Sequence, residues 1–313
     1  MSMQPENHDL SGPSASGERN GYRSGFVSIV GAPNVGKSTL LNRILGQKVA
    51  ITSPQPQTTR HRILGIWTTP EAQVIFQDTP GIHQAESLFN PRMLQIALSS
   101  LSDADVILFL VEPGRRSADQ ELAMDSLRGQ DRPVILVLNK IDTLPKESLL
   151  PWMDELSRQL SPAALVPISA LTGENLSNLL REIVARLPEG PQYYPPETMT
   201  DQPERVIAAE MIREQVFHQM RQEIPYATTV TVESFKEDRP DLIRIEATIH
   251  VERDSQKGIL IGKKGESLKK IGTAARKDIE RLTGTKVYLE LFVRVEKNWS
   301  RDPRALRRFG YSQ

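Results

Sequence analysis

Cysteine is absent from the 313-residue chain, which excludes disulfides, thiolate metal sites and thiol nucleophiles and fits a reducing cytosol. Formal net charge is zero, so attraction to nucleic acid cannot rest on bulk charge. No stretch approaches the eighteen or so uninterrupted apolar residues of a membrane span, which confines any membrane contact to a peripheral one. The five histidines, His8, His61, His83, His218 and His250, are scattered without metal-ligand spacing and read as solvated or structural. Residues 1–21 are polar, lack the apolar core of a secretory signal and read as a disordered tail.

Against these absences stands FVSIVGAPNVGKSTLLNRIL, residues 26–45. Gly31, Gly36, Lys37 and Ser38 satisfy the spacing G-x-x-x-x-G-K-[ST]. The apolar run Phe26 to Val30 reads as a buried strand that delivers the chain into the loop. Ser38 to Leu45 reads as a helix whose N-terminal amides and positive dipole end face an anion. Glycine lets the backbone wrap phosphate oxygens, Lys37 reaches the β- and γ-phosphates as a point charge, and the Ser38 hydroxyl is placed to ligate Mg²⁺. Ala32, Pro33, Asn34, Val35 and Thr39 complete the expected cradle. Strand, loop and helix in register separate this stretch from a glycine-rich turn that binds nothing.

The base is chosen farther along, at VILVLNKID, where a buried strand ends in Asn139, Lys140 and Asp142. A carboxylate there accepts two hydrogen bonds from the N1–H and exocyclic amine of guanine. Adenine offers no such pair, and a desolvated carboxylate left unpaired costs about 1–3 kcal/mol or more, so the motif selects GTP. Between the two motifs lies VIFQDTPG, where Asp78 ends another strand and is placed to hold Mg²⁺ through water while the Gly81 amide meets the γ-phosphate. Downstream, VPISAL offers Ser169, Ala170 and Leu171, the amides of the first two being expected to face guanine O6. A turn after a strand is often Asp- or Asn-rich for conformational reasons alone; four such motifs in this order carry the argument together.

Strand patterns near Phe26–Val30, Ile63–Trp67, Gln73–Gln77, Val106–Val111, Val134–Leu138 and Leu165–Pro167, with helical patterns between most of them, predict an α/β domain over 22–187. Its sheet should be doubly wound and mostly parallel, with ligand at the strands' carboxyl ends. Five prolines within residues 188–203 mark a semi-rigid linker. Residues 204–299 then form a smaller α/β unit, and 300–313 a basic tail.

Charge is sorted by region: Glu204 to Gln313 carries 22 Lys and Arg against 17 Asp and Glu. The densest part runs from Lys257 to Lys277 and includes Lys263, Lys264, Lys269, Lys270 and Arg276; Arg301, Arg304, Arg307 and Arg308 form a second cluster. Within the dense part, GILIGKKGESLKKIGTAARKDIERLTG reads as a short apolar helix, a loop from Gly262 to Gly265 and a longer amphipathic helix. The unit resembles a type II KH domain, the variant with its extra helix and strand at the N-terminal side. Its loop admits an RNA backbone, helix amides and the two lysines meet phosphates, and Ile259, Leu260 and Ile261 supply an apolar floor for unstacked bases.

The motifs GAPNVGKSTLLNRILGQKVAITSPQPQTTRHRILGI, DTPGIH, NKID and SAL, followed by this RNA-binding unit, resemble the Era family of translation-factor-related GTPases over nearly the whole chain. The resemblance implies that the threonine before arginine in PQTTR, Thr59, closes over Mg²⁺ and the γ-phosphate, with Thr58 as the alternative. Many GTPases place a glutamine after Asp-x-x-Gly to orient the attacking water; here Ile82 stands there. Relatives with an apolar residue at this place use a backbone-held water and often a monovalent cation held by the loop asparagine. That implies slow turnover and a K⁺ ion at Asn34, although Asn34 also suits a purely conformational role. Lys37, Thr59, Gly81 and Asn34 are thus the candidate catalytic residues.

The resemblance further implies a cytoplasmic GTPase that binds small-subunit ribosomal RNA near its 3′ end, acts in maturation of the small ribosomal subunit, and makes a peripheral contact with the inner membrane. Two other readings compete: a nucleotide-gated RNA-binding scaffold with incidental hydrolysis, and a GTPase whose KH-like unit only packs. The Lys263–Lys264 loop argues against the second.

Overall fold

The six apolar residues Val106–Val111 are all buried, which a strand achieves when both faces of its sheet are covered. Around them the structure, a computed structural model that describes residues 21–56, 58–82, 90–114 and 117–311, alternates strand and helix. Strand β1 (Arg23–Gly31) leads into helix α1 (Lys37–Leu45), after which β2 (Ile63–Thr68) and β3 (Ala72–Asp78) form an antiparallel hairpin. There follow α2 (Asn90–Ser102), β4 (Val106–Val111), α3 (Ala118–Leu127), β5 (Val134–Leu138), α4 (Leu149–Leu160), β6 (Ala164–Pro167) and α5 (Leu176–Arg186).

The strands lie in the order β2-β3-β1-β4-β5-β6, all pairs parallel except β2 with β3. Successive side chains of β4 enter different cores: Val106, Leu108 and Leu110 meet α1 and α5, while Ile107, Phe109 and Val111 meet α2, α3 and α4. The chain works outward from β1 in both directions, and the crevice at the strands' carboxyl ends is where such sheets take ligands.

The proline-rich stretch after α5 is fastened to this sheet. Ser24 N donates to Pro188 O at 3.1 Å and Ile66 N to Met199 O at 2.8 Å. Between these points the Gln73 amide serves Tyr193 N, Tyr194 N and Tyr194 O. It then enters α6 (Glu204–Gln219), which with α7 (Asp254–Ile261) and α8 (Glu266–Thr283) covers a three-stranded sheet. That sheet pairs β7 (Thr229–Arg239) antiparallel to β8 (Leu242–Val251), and β8 parallel to β9 (Lys286–Val295). Ile271, Ala275 and Ile279, four residues apart, are the buried stripe of α8.

The expected C-terminal tail requires correction. As far as Tyr311 it is folded: a 3-10 turn at Trp299–Arg301 and helix α9 (Pro303–Arg308) bury Trp299, Ala305, Leu306 and Tyr311. Asp302 accepts from Arg304 N, Pro303 starts the helix, and Trp299 Nε1 donates to Ala227 O at 2.9 Å. Apolar burial on one side of this segment outweighs the repulsion of arginines spread on the other. The N-terminal stretch read as a tail lies outside the described residues up to residue 20, as do His8 and His83. Among the described residues no helix is long and apolar enough to cross a membrane.

Candidate nucleotide site and nucleic-acid interface

The turn from β1 into α1 places Gly31 at φ 150° and Gly36 at φ 98°. A Cβ on Gly31 would stand 2.5 Å from Leu110 O, and one on Gly36 would run into Asn139 Nδ2. Backbone and neighbours therefore both demand glycine. Lys37 Nζ donates to the carbonyls of Gly31 at 3.1 Å and Ala32 at 2.9 Å. Burial pulls this ammonium down to about 8, with the Asp78 charge opposing the shift. A polyphosphate in the loop meets a lysine that gains from its arrival.

Three oxygens converge beside the lysine. Ser38 Oγ donates to Asp78 Oδ2 at 2.7 Å, and Thr59 Oγ1 lies 3.0 Å from Ser38 Oγ and 3.4 Å from Asp78 Oδ2. Asp78 Oδ1 is buried without a hydrogen-bond partner, and burial raises the carboxyl to about 6 against the Ser38 bond, the Lys37 charge and the Thr59 bond. A hard divalent cation such as Mg²⁺ fits this donor set, since it takes oxygen ligands and would use the orphaned atom. Thr59, rather than Thr58, carries its hydroxyl to the cluster; the Thr58 carbonyl accepts from Arg213 Nη2.

Gly81 approaches the loop so closely that a Cβ would lie 3.0 Å from Pro33 Cα. The next residue, Ile82, is fully buried in the core with Val30 and Phe109, and its amide donates to Gly31 O at 3.1 Å. Its side chain cannot orient a water. Asn34 has φ 66° and donates Nδ2 to Pro54 O at 3.0 Å, which suits a conformational role. Loop residues, Thr39, Thr59, Gly81 and Lys140 line a cavity of about 410 Å³.

At the carboxyl end of β5, Asn139 Nδ2 donates to Val35 O at 2.7 Å while Asn139 Oδ1 accepts from Ala170 N at 2.9 Å. This joins three motifs through one side chain. Of the two amides expected to face guanine O6, that of Ala170 thus donates to Asn139, and that of Ser169 donates to Glu174 O at 3.2 Å. Asp142 Oδ1 accepts from Ser169 Oγ at 2.5 Å. Lys140 Nζ donates to Glu112 at 2.7 Å, and Leu171 is 65% exposed beside the guanine motif.

Sequence reasoning missed the residues that fasten the Thr59 loop to the second domain. Thr52 N donates to buried Glu214 Oε1 at 2.8 Å, and Gln55 Nε2 caps α6 through Phe217 O at 2.6 Å and Met220 O at 2.9 Å. Arg60 donates to Thr228 O, Tyr226 O and Pro225 O at 2.7, 2.9 and 3.2 Å. No local signal marks these residues, because polar loop residues look alike until their distant acceptors are known. The burial of the C-terminal segment was discoverable: Asp302-Pro303 is a helix-start signature followed by apolar Ala305, Leu306 and Tyr311.

The second candidate surface surrounds Gly262–Gly265. Gly262, Lys264 and Gly265 all have positive φ, and a Cβ on Gly262 would lie 2.7 Å from Ser267 Cβ. The turn thus presents Lys263 and Lys264 at the start of α8, with Lys269 and Lys270 exposed beyond them. Leu260 corrects the expected apolar floor: it is fully buried in the domain core, because the three-residue apolar run turns through a helix. Ile259, 56% exposed, and half-buried Ile261 are what the surface offers.

Comparison with known proteins finds both domains. Residues 26–140 match the family model for a 50S ribosome-binding GTPase, and residues 223–300 that for a KH domain. GTPase Era of Geobacter metallireducens is 55% identical over 296 residues, 94% of this chain and 99% of its own. GTPase Era of Syntrophus aciditrophicus is 53% identical, over 93% and 96%. A variant of Aquifex aeolicus Era bound to GDP·AlF4⁻ superposes with a TM-score of 0.88 at 43% identity, covering 93% of this chain and all of that one. Era in complex with MgGDPNP and nucleotides 1506–1542 of 16S ribosomal RNA gives the same TM-score and coverage at 44% identity. With relatives of that identity aligned along almost its whole length and both family models matched in order, the chain belongs to the Era family of GTPases.

Proposed function

We propose that the chain is a GTP-hydrolysing switch that governs binding of a KH domain to small-subunit ribosomal RNA near its 3′ end, in maturation and assembly of the small ribosomal subunit. The RNA is carried over from the solved relative holding nucleotides of 16S ribosomal RNA. The observation that supports coupling is the position of Thr59, whose hydroxyl lies 3.0 Å from Ser38 Oγ while its neighbours Thr58 and Arg60 are held by the second domain. Its functional units are a GTPase domain at 22–187, a strap at 188–203 and a KH domain from 204, extended here to 311 by the packing of Trp299 and Tyr311.

Hydrolysis of GTP to GDP and phosphate follows from the arrangement. Loop amides and Lys37 bind the β- and γ-phosphates, Ser38, Thr59 and Asp78 provide the Mg²⁺ site, and the Gly81 amide senses the γ-phosphate. Mg²⁺ there supplies charge neutralisation at the phosphates. With Ile82 buried, a backbone-held water attacks, and turnover is slow without RNA. Asn34 would hold a K⁺ ion, which would supply further positive charge at the phosphates. The place of action is the cytoplasm, with a peripheral inner-membrane contact that fractionation with and without salt would test.

Full-length protein with Lys263 and Lys264 both changed to Asp tests the RNA half. Nucleotide-dependent crosslinking to total RNA should lose its ribosomal target in this variant, while GTP hydrolysis without RNA stays at the wild-type rate. Crosslinking that survives unchanged would overturn the KH assignment. Multiple turnover stimulated by RNA separates a switch from a scaffold with incidental hydrolysis.

A further inference from the structure

Three guanidinium groups near the C-terminus stand without an acidic partner. Arg301, Arg304 and Arg307 are exposed and make no ion pair among the described residues, whereas Arg308 is paired with Glu296 at 2.7 Å and lies 4.9 Å over the Phe309 ring. Their support is rigid, since the same segment buries Trp299, Ala305, Leu306 and Tyr311 and is tied to Ala227 O by the Trp299 indole. A guanidinium on a fixed backbone loses less freedom on binding, and its planar fork matches phosphate oxygens. Asp302, at the start of α9, accepts from Arg304 N.

Location supplies the second argument. Ser300 N donates to Glu252 Oε1 at 3.2 Å, and the amides of Glu252 and Arg253 donate to Gln256 Oε1 at 3.0 and 3.1 Å. The N-terminal end of α7 therefore abuts the arginine-bearing segment, and its C-terminal end opens at Gly262. Eight helical residues span about 12 Å. A G-x-x-G loop clamps about four nucleotides, so a strand leaving it along α7 arrives at the arginines soon after. Asp254 is the exposed acid on this path; Glu252 and Glu296 are engaged by Ser300 and Arg308.

We propose that Arg301, Arg304 and Arg307 form a second phosphate-contact surface for RNA, continuous with the Lys263–Lys264 loop along α7 and engaged by nucleotides beyond those the loop clamps. This rests on the RNA-binding reading of the KH domain. An anionic membrane is the rival occupant. It is disfavoured because an interfacial helix needs an apolar face toward the lipid, and none of the exposed large hydrophobic residues lies between 299 and 311.

The test compares full-length wild type with Arg301, Arg304 and Arg307 all changed to Gln and, separately, all to Lys. Each is titrated with a single-stranded RNA of about six nucleotides, just beyond the loop's grasp, and with the same RNA extended by about ten at either end. The Gln variant should bind the short RNA within about twofold of wild type and lose at least about tenfold on one of the long RNAs. Its salt slope there should shrink by about two, from three lost contacts at about 0.7 each. The Lys variant should keep most of the affinity. Equal losses on short and long RNA, or none on either, would overturn the proposal, as would a loss seen only with phosphatidylserine vesicles. Wild type that binds neither RNA would overturn the KH reading itself, whereas the Lys263/Lys264 double variant losing the short RNA would uphold that reading independently.

Discussion

Arg60 donates to the Thr228 carbonyl at 2.7 Å, a bond that ties the loop carrying Thr59 to the second domain. The same guanidinium serves Pro225 and Tyr226 and lies within 6 Å of the Trp299 and Tyr311 rings. One residue earlier, the Thr59 hydroxyl sits against Ser38 and Asp78. Any free energy the second domain gains from holding Arg60 is therefore felt by the Ser38–Thr59–Asp78 cluster, and the coupling is reciprocal.

Changing Arg60 to Ala removes the donor from three carbonyls at once. A loss of about 3 kcal/mol in stability is expected, from buried acceptors at about 1–3 kcal/mol each with partial rehydration. Affinity for GTP with Mg²⁺ should fall several-fold while affinity for GDP changes little, as read with fluorescent nucleotides. Arg60→Lys should rescue only in part, because an ammonium cannot serve all the acceptors in their planar array. Equal effects on GTP and GDP would argue against transmission through Thr59.

Asp142→Asn tests base choice. An amide donor pairs with the C2 carbonyl of xanthine, where the carboxylate repels it. GTP affinity should drop at least tenfold, the equivalent of about 1.4 kcal/mol, and preference should pass to xanthosine triphosphate. Competition binding measures both. With the Ser169 and Ala170 amides engaged internally, most of the guanine preference should reside in this one side chain.

Two groups make nucleotide binding depend on pH. The Asp78 carboxyl, raised by burial from 3.8 to about 6, holds its proton more tightly folded than unfolded. Its contribution to stability is full below about pH 4 and lost as pH rises through 6. Cation binding requires the carboxylate, so Mg²⁺-dependent GTP affinity should fall about tenfold per pH unit below 6. Lys37, lowered by burial to about 8, disfavours folding while charged, a cost relieved as pH climbs from 8 towards 10.5. Triphosphate binding restores the ammonium, so proton uptake should appear above pH 8 in calorimetry repeated in buffers of different ionisation enthalpy, and should vanish in Lys37→Met.

Asn34→Ala distinguishes a cation ligand from a loop-shaping residue. If Asn34 holds K⁺, hydrolysis by wild type should be faster in KCl than in NaCl and the variant should lose that difference while keeping GTP affinity within a few-fold. Identical wild-type rates in the two salts would leave Asn34, with its φ of 66°, a conformational residue. Asn34→Gly keeps the backbone and removes the side chain, so it should reproduce the salt-insensitive rate.

What the sequence determined by itself is chemistry that sits on consecutive residues. Gly31 to Ser38 must be contiguous because one backbone wraps one phosphate chain, and Asn139 to Asp142 must follow a buried strand because the base lies at its end. The alternation of apolar strands with helical patterns likewise announced a covered parallel sheet, and the six consecutive buried residues of β4 bear it out. Tertiary structure alone decided which threonine reaches the metal cluster, why Leu260 is lost to the core, why the Ser169 and Ala170 amides turn inward, and that Arg60 belongs to the second domain. The physical reason is distance along the chain. Arg60 meets the Tyr311 hydroxyl across 251 residues, and a polar side chain in a loop carries no local mark of an acceptor that only folding brings within 3.5 Å.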